Sequence, residues 1–276
     1  MDCTCEKNCL GVIGAGFMGS SIVRGLDGHE ALCAMKVIVS DVNAELLTNV
    51  FTELQEKGRN VQCADCNQQV LDEASVVLLA VKPQVLNSVL EPLKFKPGQL
   101  VISIAAGVPL ARLEGLIGGE QPIVRVMPNV LASVNQAASA YSPNAHVTPE
   151  DVQFVHELLS WLGTAVRVEE KLLDAVTGLS GSGPAFVALF AEALTDGGVV
   201  AGLPRADAAK LAAQTIAGVG EWLLQTGSSP AILKDMVTSP GGTTIAGVRA
   251  LEAGGLRSAS IEAVVAAAQR SRELGS

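Results

Sequence analysis

The sequence predicts an α/β chain in which a doubly wound parallel sheet is followed by an all-α domain. Up to about residue 127, short apolar strands alternate with helical segments, as in a parallel sheet covered by helices on both faces. From about Glu169 the composition changes to a long Ala/Leu/Val-rich pattern with glycine and proline breaks. We therefore expect one domain over residues 1–168 and a second over residues 169–276.

The predicted strands are short apolar runs that end at small or polar residues, and the helices between them carry apolar side chains at helical spacing. We expect strands over residues 10–13, 35–39, 61–63, 76–81, 100–104 and 123–127, and helices over residues 20–26, 44–56, 85–93 and 109–116. Ligands of such sheets bind beyond the carboxyl ends of the strands. The residues that follow each strand are therefore the first candidates for a binding site.

The second domain is predicted to hold four or five helices, with breaks at residues 197–198, 202–204, 227–230 and 240–242. Its segments are apolar on more than one face, and a helix that is apolar all round must be buried. A domain of this size cannot bury that much apolar surface alone. We therefore expect it to pack against a second copy of the chain.

Composition excludes several classes of partner. The chain has 276 residues, a formal net charge of −9 and only 3% aromatic residues, which argues against nucleic acid or an anionic membrane as its main partner. No run of about 18 uncharged apolar residues exists, and the first ten residues lack the apolar core of a signal peptide. We expect a cytoplasmic protein.

All six cysteines fall in the first quarter of the chain, a distribution that favours a reducing compartment over a disulfide framework. Cys63 and Cys66 form a C-x-x-C pair, but no second Cys or His pair follows at zinc-site spacing. We therefore expect no bound metal.

A glycine motif suggests the first ligand. Gly14-x-Gly16-x-x-Gly19 follows the first predicted strand and opens a helix, the context of a Rossmann dinucleotide site. The first glycine permits the tight turn, the second lets the pyrophosphate approach the backbone, and the third lets helix and strand pack closely. The alternative is a glycine-rich turn without a ligand.

The end of the second strand bears on the choice of cofactor. Asp41 lies about twenty residues after Gly19, where an acid usually binds the ribose hydroxyls of NAD, and no Arg or Lys follows before Lys57. These residues favour NADH, although the small polar Ser40 also suits NADPH. The alternative for Asp41 is a helix cap that faces away from the ribose.

Residues 234–248 form a hydroxyl-rich loop that leads into a helix. Pro240 restricts the backbone of the loop, and the glycines permit its turns. The hydroxyl side chains lie at the predicted start of the helix, where backbone N–H groups have no helical partner. Such a helix start can hold a carboxylate. The candidate residues are Ser239, Gly241, Gly242, Thr243 and Thr244, and the alternative is that the two threonines only cap the helix.

Seven motifs in order resemble the pyrroline-5-carboxylate reductase family over essentially the whole chain. They are GVIGAGFMG at residues 11–19, AVKPQ at 80–84, SIAAGV at 103–108, RVMPN at 125–129, DAVTGLSGSGPAF at 174–186, GLPR at 202–205 and LKDMVTSPGGTTIAGV at 233–248. The last three are the most specific. One departure is Val130-Leu131 after Asn129, where relatives usually have Thr-Pro.

The resemblance implies a Rossmann domain followed by a helical dimerisation domain, with dimers often assembled into larger rings such as decamers. It implies an oxidoreductase that transfers a hydride from NAD(P)H to the imine carbon of 1-pyrroline-5-carboxylate, giving L-proline in the last step of proline biosynthesis. Family usage favours NADPH, whereas Asp41 favours NADH, so both cofactors stay open.

The resemblance also implies roles for individual residues. For the cofactor these are Gly14, Ala15, Gly16, Phe17, Met18, Gly19, Ser40, Asp41, Asn67, Ala80, Val81, Lys82, Pro83 and Asn129, with Ala105, Ala106 and Gly107 beside the nicotinamide. Glu170 would contact the amino-acid ligand, and the hydroxyl-rich loop would hold the substrate. Thr244 would be the catalytic residue, with its hydroxyl nearest the ring nitrogen.

Two other functions are weighed. A hydroxyacid dehydrogenase of similar architecture needs a lysine base shortly after the glycine-rich linker, and no lysine lies between Gly183 and Lys210. A cofactor-binding sensor that catalyses no reaction would not need the hydroxyl-rich loop for a substrate. His29, His146 and His156 lie outside every motif, so we assign them no catalytic role.

Overall fold

The computed structural model describes residues 7–26, 35–118 and 120–275. Its contacts divide the chain into two units: Met1–Ser182 with Ala267–Ser276, and Gly183–Ala266. We call them the Rossmann unit and the helical unit. The division falls later than the predicted boundary at residues 168/169, because the strand and short helical turns that precede Ser182 pack against the sheet.

The Rossmann unit is built on one eight-stranded sheet with the order β3-β2-β1-β4-β5-β6-β7-β8. Neighbouring strands are parallel except for β6 and β7, which are antiparallel. The carboxyl ends of β1 to β6 therefore share one edge. The strands are β1 Cys9–Ile13, β2 Lys36–Ser40, β3 Val61–Cys63, β4 Val76–Leu79, β5 Leu100–Ser103, β6 Ile123–Met127, β7 Ala137–Pro143 and β8 Gly163–Arg167.

Helices connect these strands, and side chains cap the starts of two helices in the described part of this unit. Asn43 accepts from the N–H groups of Glu45 and Leu46, and Thr148 forms a reciprocal capping box with Asp151. The helices are α1 Phe17–Gly25, α2 Ala44–Glu56, α3 Asn67–Glu73, α4 Leu86–Leu90, α5 Leu110–Ile117, α6 Pro149–Ser160 and α7 Leu173–Val176. Short 3₁₀ turns cover Pro83–Val85, Val130–Val134 and Glu170–Leu172, and a π turn covers Thr177–Gly181.

The core lies on both faces of the sheet. Along β4, Val76 and Leu78 belong to one apolar cluster, whereas Val77 and Leu79 belong to the other. Successive side chains of a strand point to opposite faces, so a strand covered on both sides must be apolar throughout. This two-sided burial confirms the doubly wound sheet that the sequence predicts.

The strands β7 and β8 were not predicted from the sequence. β7 is rich in alanine and serine, and β8 starts at Gly163, whose φ of 142° favours glycine. A Cβ at Gly163 would lie 2.1 Å from the carbonyl oxygen of Ala137. The glycine therefore lets the two strands approach closely.

The helical unit contains five helices: α8 Gly183–Val200, α9 Arg205–Thr226, α10 Pro230–Met236, α11 Thr243–Ala253 and most of α12 Leu256–Gly275. The break predicted at residues 197–198 is wrong, because α8 runs through both glycines. A Cβ at Gly198 would lie 3.0 Å from the Cβ of Ala208, so the glycine serves close packing of α8 on α9. The other predicted breaks coincide with helix ends.

The helical unit exposes much apolar surface in the single chain. Neither α8 nor α11 contains a buried residue, and Leu189, Leu211 and Leu224 are each more than half exposed. One helical stretch of the described chain, Glu170–Val200, is long and apolar enough to cross a membrane by length and composition alone. An exposed apolar surface of this kind marks an interaction site.

Candidate functional site

The glycine loop after β1 has the geometry that a dinucleotide requires. Gly14 has a φ of 106°, and a Cβ there would lie 2.7 Å from the carbonyl oxygen of Ala80. A Cβ at Gly19 would lie 2.1 Å from the carbonyl oxygen of Gly14, whereas one at Gly16 would meet no heavy atom within 4 Å. The middle glycine therefore faces open space while the outer two close the turn, as the sequence predicts.

The first turn of α1 supplies hydrogen-bond donors beside this loop. Gly16 is the N-cap residue and no side chain caps the helix, so the N–H groups of Phe17, Met18 and Gly19 point outward without a helical partner. No acidic residue occupies the first turn. The positive end of the helix dipole therefore suits a pyrophosphate.

The carboxylate of Asp41 is fixed beside the glycine loop. Its Oδ2 accepts from the N–H of Ala15 at 2.6 Å, and its Oδ1 accepts from the N–H of Asn43 at 2.7 Å. Asn43, not Asp41, is the N-cap residue of α2. The alternative in which Asp41 is merely a helix cap is therefore wrong.

Other residues predicted to line the cofactor follow neighbouring strands. In the sheet register, Ile13 pairs with both Ser40 and Leu79, which places the ends of β2, β1 and β4 side by side. The Ser40 hydroxyl donates to Oδ1 of Asn67 at 2.7 Å. Ala80, Val81, Lys82 and Pro83 continue directly from β4, and Lys82 is exposed.

Ala105, Ala106 and Gly107, which are predicted to lie beside the nicotinamide, belong to a loop that follows β5. Ala105 and Gly107 are buried, Ala106 is exposed, and Gly107 has a φ of 74°. We call residues 104–109 the nicotinamide loop. It lies at the same sheet edge as the glycine loop, because Leu79 and Ser103 are register partners at the ends of β4 and β5.

Glu170 reaches the end of the nicotinamide loop. Its Oε1 accepts from the N–H of Leu110 at 2.7 Å and from Nη1 of Arg125 at 3.0 Å. The sequence motifs gave no role to the Arg125 side chain. The available signal was a charged residue inside the otherwise apolar strand β6, since a buried charge usually has a partner.

Asn129 is buried and its side chain is engaged within the Rossmann unit. Its Nδ2 donates to the carbonyl oxygen of Ser180 at 2.9 Å, and its Oδ1 accepts from the N–H of Leu131 at 3.2 Å. The amide thereby links the end of β6 to the π turn. Its predicted contact with the cofactor stays a prediction.

The hydroxyl-rich loop belongs to the helical unit. Gly242 is the N-cap residue of α11, no side chain caps that helix, and the N–H of Gly242 donates to the carbonyl oxygen of Ser239 at 3.0 Å. Among the described residues, the hydroxyls of Ser239, Thr243 and Thr244 have no hydrogen-bond partner. The alternative in which the two threonines only cap α11 is therefore wrong, and the hydroxyls are available to a ligand.

None of the described cysteines or histidines was predicted to take part in the site. Burial raises the pKa of the Cys9 and Cys63 thiols, which keeps them protonated at neutral pH. Within residues 7–26, 35–118 and 120–275, no cluster of three or more His, Cys, Asp or Glu side chains could hold a metal ion. Cys3, Cys5, Cys33 and His29 lie outside the described residues.

The parallel sheet, the glycine loop and the donor-rich start of α1 define a nicotinamide-dependent oxidoreductase. Residues 9–107 match the family model "NADP oxidoreductase coenzyme F420-dependent", and residues 170–274 match "Pyrroline-5-carboxylate reductase dimerisation". The second match starts next to the predicted domain boundary.

Relatives narrow the class to one family. The chain is 45% identical to pyrroline-5-carboxylate reductase of Methanosarcina acetivorans over 98% of this chain and 99% of the relative. It is 46% identical to the enzyme of Synechocystis over 96% of this chain and 98% of the relative. The chain belongs to the pyrroline-5-carboxylate reductase family.

Solved structures of the family share the whole fold. A pyrroline-5-carboxylate reductase from Coxiella burnetii superposes with a TM-score of 0.88 at 33% identity, covering 98% of this chain and 100% of that one. The Plasmodium falciparum enzyme, solved with NADP bound, gives a TM-score of 0.85 at 31% identity, covering 98% and 99%. The predicted family, fold class, reaction class and NAD(P)H cofactor are confirmed, and the hydroxyacid dehydrogenase alternative is set aside.

Proposed function

We propose that the chain reduces 1-pyrroline-5-carboxylate to L-proline with NAD(P)H, the last step of proline biosynthesis. The near full-length match to pyrroline-5-carboxylate reductases is the observation that carries this proposal. When bound, the reduced nicotinamide supplies the hydride. The protein has to hold and align the two reactants, and alignment alone can lower such a barrier by several kcal/mol.

The Rossmann unit holds the nucleotide in this proposal. The N–H groups at the start of α1 bind the pyrophosphate over Gly16, and Ser40, Asn67 and residues 80–83 line the adjoining groove. The nicotinamide ring rests against Ala105, Ala106 and Gly107. The open space at Gly16 supports this placement, since a ligand can approach the backbone there.

We further propose that Asp41 makes NADH the better cofactor. Two backbone donors fix its carboxylate, which can accept hydrogen bonds from ribose hydroxyls. The 2′-phosphate of NADPH would meet this fixed negative charge. A like-charge contact at about 4 Å costs roughly 1–4 kcal/mol between bulk water and a protein surface.

The cofactor proposal is tested by comparing kcat/KM for NADH and NADPH in the wild type and in Asp41→Ser. We expect the wild type to favour NADH by about fivefold or more, and the variant to gain relative activity with NADPH. Asp65→Ser, at an exposed aspartate after β3, is the control. A wild type that prefers NADPH, with the preference unchanged in the variant, would contradict the role of Asp41.

The hydroxyl-rich loop holds the substrate in this proposal. The substrate carboxylate accepts from the free N–H groups at the start of α11 and from Ser239 and Thr243. Gly241, with a φ of 69°, and Gly242 shape the turn. The Thr244 hydroxyl hydrogen-bonds the ring nitrogen and orients the imine carbon toward the hydride.

The chemistry needs no strong acid from the protein. The imine nitrogen is protonated before reaction, the hydride adds to the ring carbon, and the electron pair of the C=N π bond moves onto nitrogen to give the amine. Thr244 is therefore an orienting group. Its hydroxyl has no competing partner among the described residues, which supports this role.

The Thr244 proposal is tested by following the absorbance of NADH or NADPH with racemic pyrroline-5-carboxylate. We expect Thr244→Ala to lower kcat/KM by about 10- to 100-fold. Thr215→Ala, which removes an exposed hydroxyl on α9, should stay within about twofold of the wild type. Wild-type efficiency in Thr244→Ala would remove this residue from the mechanism, and turnover of 3-hydroxy or keto acids would argue against the substrate.

We also propose a homodimer through the helical unit, assembled further into a ring such as a decamer, without nucleic acid or membrane. The exposed leucines of α8 and α9 support this assembly, because a second copy would cover them. The free thiols of Cys9, Cys63 and Cys66 support a cytoplasmic location. Sedimentation without detergent tests the assembly, and a monomer, or a protein that needs detergent to stay dispersed, would contradict it.

A further inference from the structure

The helix that follows the nicotinamide loop lacks a local cap. Pro109 is the N-cap residue of α5 and has no side-chain acceptor. The N–H of Leu110, at the first helical position, instead donates to Glu170 Oε1 at 2.7 Å across 60 residues of sequence. A distant carboxylate therefore accepts a hydrogen bond from a free N–H group at the helix start, as an N-cap side chain would. Its negative charge also interacts favourably with the positive end of the helix dipole.

Arg125 holds that carboxylate in place. The arginine is buried on β6, where Ser103 at the end of β5 is its register partner, and its Nη1 donates to the same Oε1 of Glu170 at 3.0 Å. A buried guanidinium with an ionised partner gives a strong and directional contact. The residue that follows the nicotinamide loop and the strand beside β5 are thereby both bound to one carboxylate.

Buried apolar side chains and backbone hydrogen bonds hold most of the nicotinamide loop, but distant polar side chains contribute little. Among the described residues, Glu170 is the only side chain from outside residues 103–110 that hydrogen-bonds to the backbone of this stretch. A cavity of about 190 Å³ adjoins the loop and is lined in part by Gly107, Pro109 and Arg125. The contact with Glu170 is therefore the side-chain hydrogen bond that ties this described stretch to a distant part of the Rossmann unit.

We propose that the Arg125–Glu170 pair is a positioning device that sets the nicotinamide loop for hydride transfer. This inference rests on the proposed function. Glu170 is also the first residue of the segment that matches the dimerisation family model. The pair therefore links the start of that segment to the nicotinamide loop within the Rossmann unit. Glu170 is a positioning residue that acts through the loop backbone.

The test compares Glu170→Ala with Glu169→Ala. Glu169 is the adjacent residue, is exposed, and its carboxylate pairs with exposed Lys171. We expect Glu170→Ala to lower kcat by about 10- to 100-fold with a nucleotide KM within about threefold of the wild type, since the pyrophosphate site is untouched. The deuterium isotope effect on kcat, measured with nucleotide deuterated at C4, should rise because hydride transfer becomes slower than product release. Glu169→Ala should change neither quantity.

Glu170→Gln provides the rescue, because its amide oxygen can still accept from Leu110. It should recover at least part of the lost kcat, and it replaces Glu170→Ala if that variant does not fold, with Glu169→Gln as its control. An unchanged kcat and isotope effect in Glu170→Ala would overturn the proposal. A raised KM for pyrroline-5-carboxylate alone would also overturn it, because Glu170 would then contact the substrate. Failure of the proposed function would differ, since the wild type itself would not oxidise the nucleotide.

Discussion

Replacing Gly16 or Gly19 of the glycine loop by alanine is expected to have different effects. A Cβ at Gly16 would meet no protein atom within 4 Å, and its φ of −61° is one that alanine adopts freely. A Cβ at Gly19 would lie 2.1 Å from the carbonyl oxygen of Gly14 and 3.0 Å from the Cβ of Ala80. The first substitution should therefore damage binding, and the second should damage folding.

For Gly16→Ala the methyl group enters only the space where the pyrophosphate must approach. Overpacking by one methyl group costs about 1–3 kcal/mol, which corresponds to a roughly 5- to 150-fold weaker Kd for the nucleotide. The free energy of unfolding should stay within about 1 kcal/mol of the wild type, because nothing in the protein is displaced. For Gly19→Ala the clash is with backbone, so unfolding should become easier by about 1–3 kcal/mol.

Both variants are measured by fluorescence titration with NADH and NADPH and by urea unfolding without nucleotide. Gly115→Ala is the control, since a Cβ at this helical glycine of α5 also meets no atom within 4 Å. It should leave nucleotide binding unchanged. If Gly16→Ala bound nucleotide as tightly as the wild type, the glycine loop would not contact the pyrophosphate and the reasoning would be refuted.

Two further predictions concern stability. Burial raises the pKa of Asp151, but hydrogen bonds from Lys7 and Thr148 outweigh burial, so the folded-state pKa lies below the unfolded value. The folded chain then binds fewer protons than the unfolded chain near this pKa. The ionised Asp151 carboxylate therefore adds its full contribution to the free energy of unfolding above about pH 4, and this contribution is lost as pH falls through the lowered pKa. Asp151→Ala should cost about 1–2 kcal/mol at pH 7 and less near pH 3 by urea unfolding; an equal cost at both pH values would refute this. Gly163→Ala should lower Tm by about 5–10 °C in calorimetry, because its φ of 142° and the 2.1 Å approach to the Ala137 carbonyl oxygen leave no room for a methyl group; an unchanged Tm would contradict it.

Where local chemistry determines a segment, the sequence predicted it well. The helix at Ala44–Glu56 and the strand at Ile123–Met127 have their predicted bounds, because Asn43 caps the helix and proline follows the strand. β7 was missed because its alanines and serines give no apolar alternation. The glycine pair at 197–198 suggested a helix break but serves a close helix contact, a tertiary effect that no local pattern shows.

The candidate site divides in the same way. The roles of Gly14, Gly16 and Gly19 followed from their spacing, because each depends on its immediate neighbours. The contact between Glu170 and Arg125 joins residues 45 positions apart and could not be derived from either motif. Arg125 inside an apolar strand was a visible sign that some partner existed, but not which one.

The end of α12 belongs to the Rossmann unit, and this affects folding during synthesis. Ser271 donates to the carboxylate of Asp174 at 2.6 Å, so residues from both sides of the helical unit in sequence complete the same body. On the ribosome, that body cannot close until the whole helical unit has been synthesised. The apolar helices of the helical unit are therefore synthesised before the last contacts of the Rossmann unit can form. A fusion that stops α12 from docking should reduce the yield of folded enzyme even though every proposed active-site residue remains.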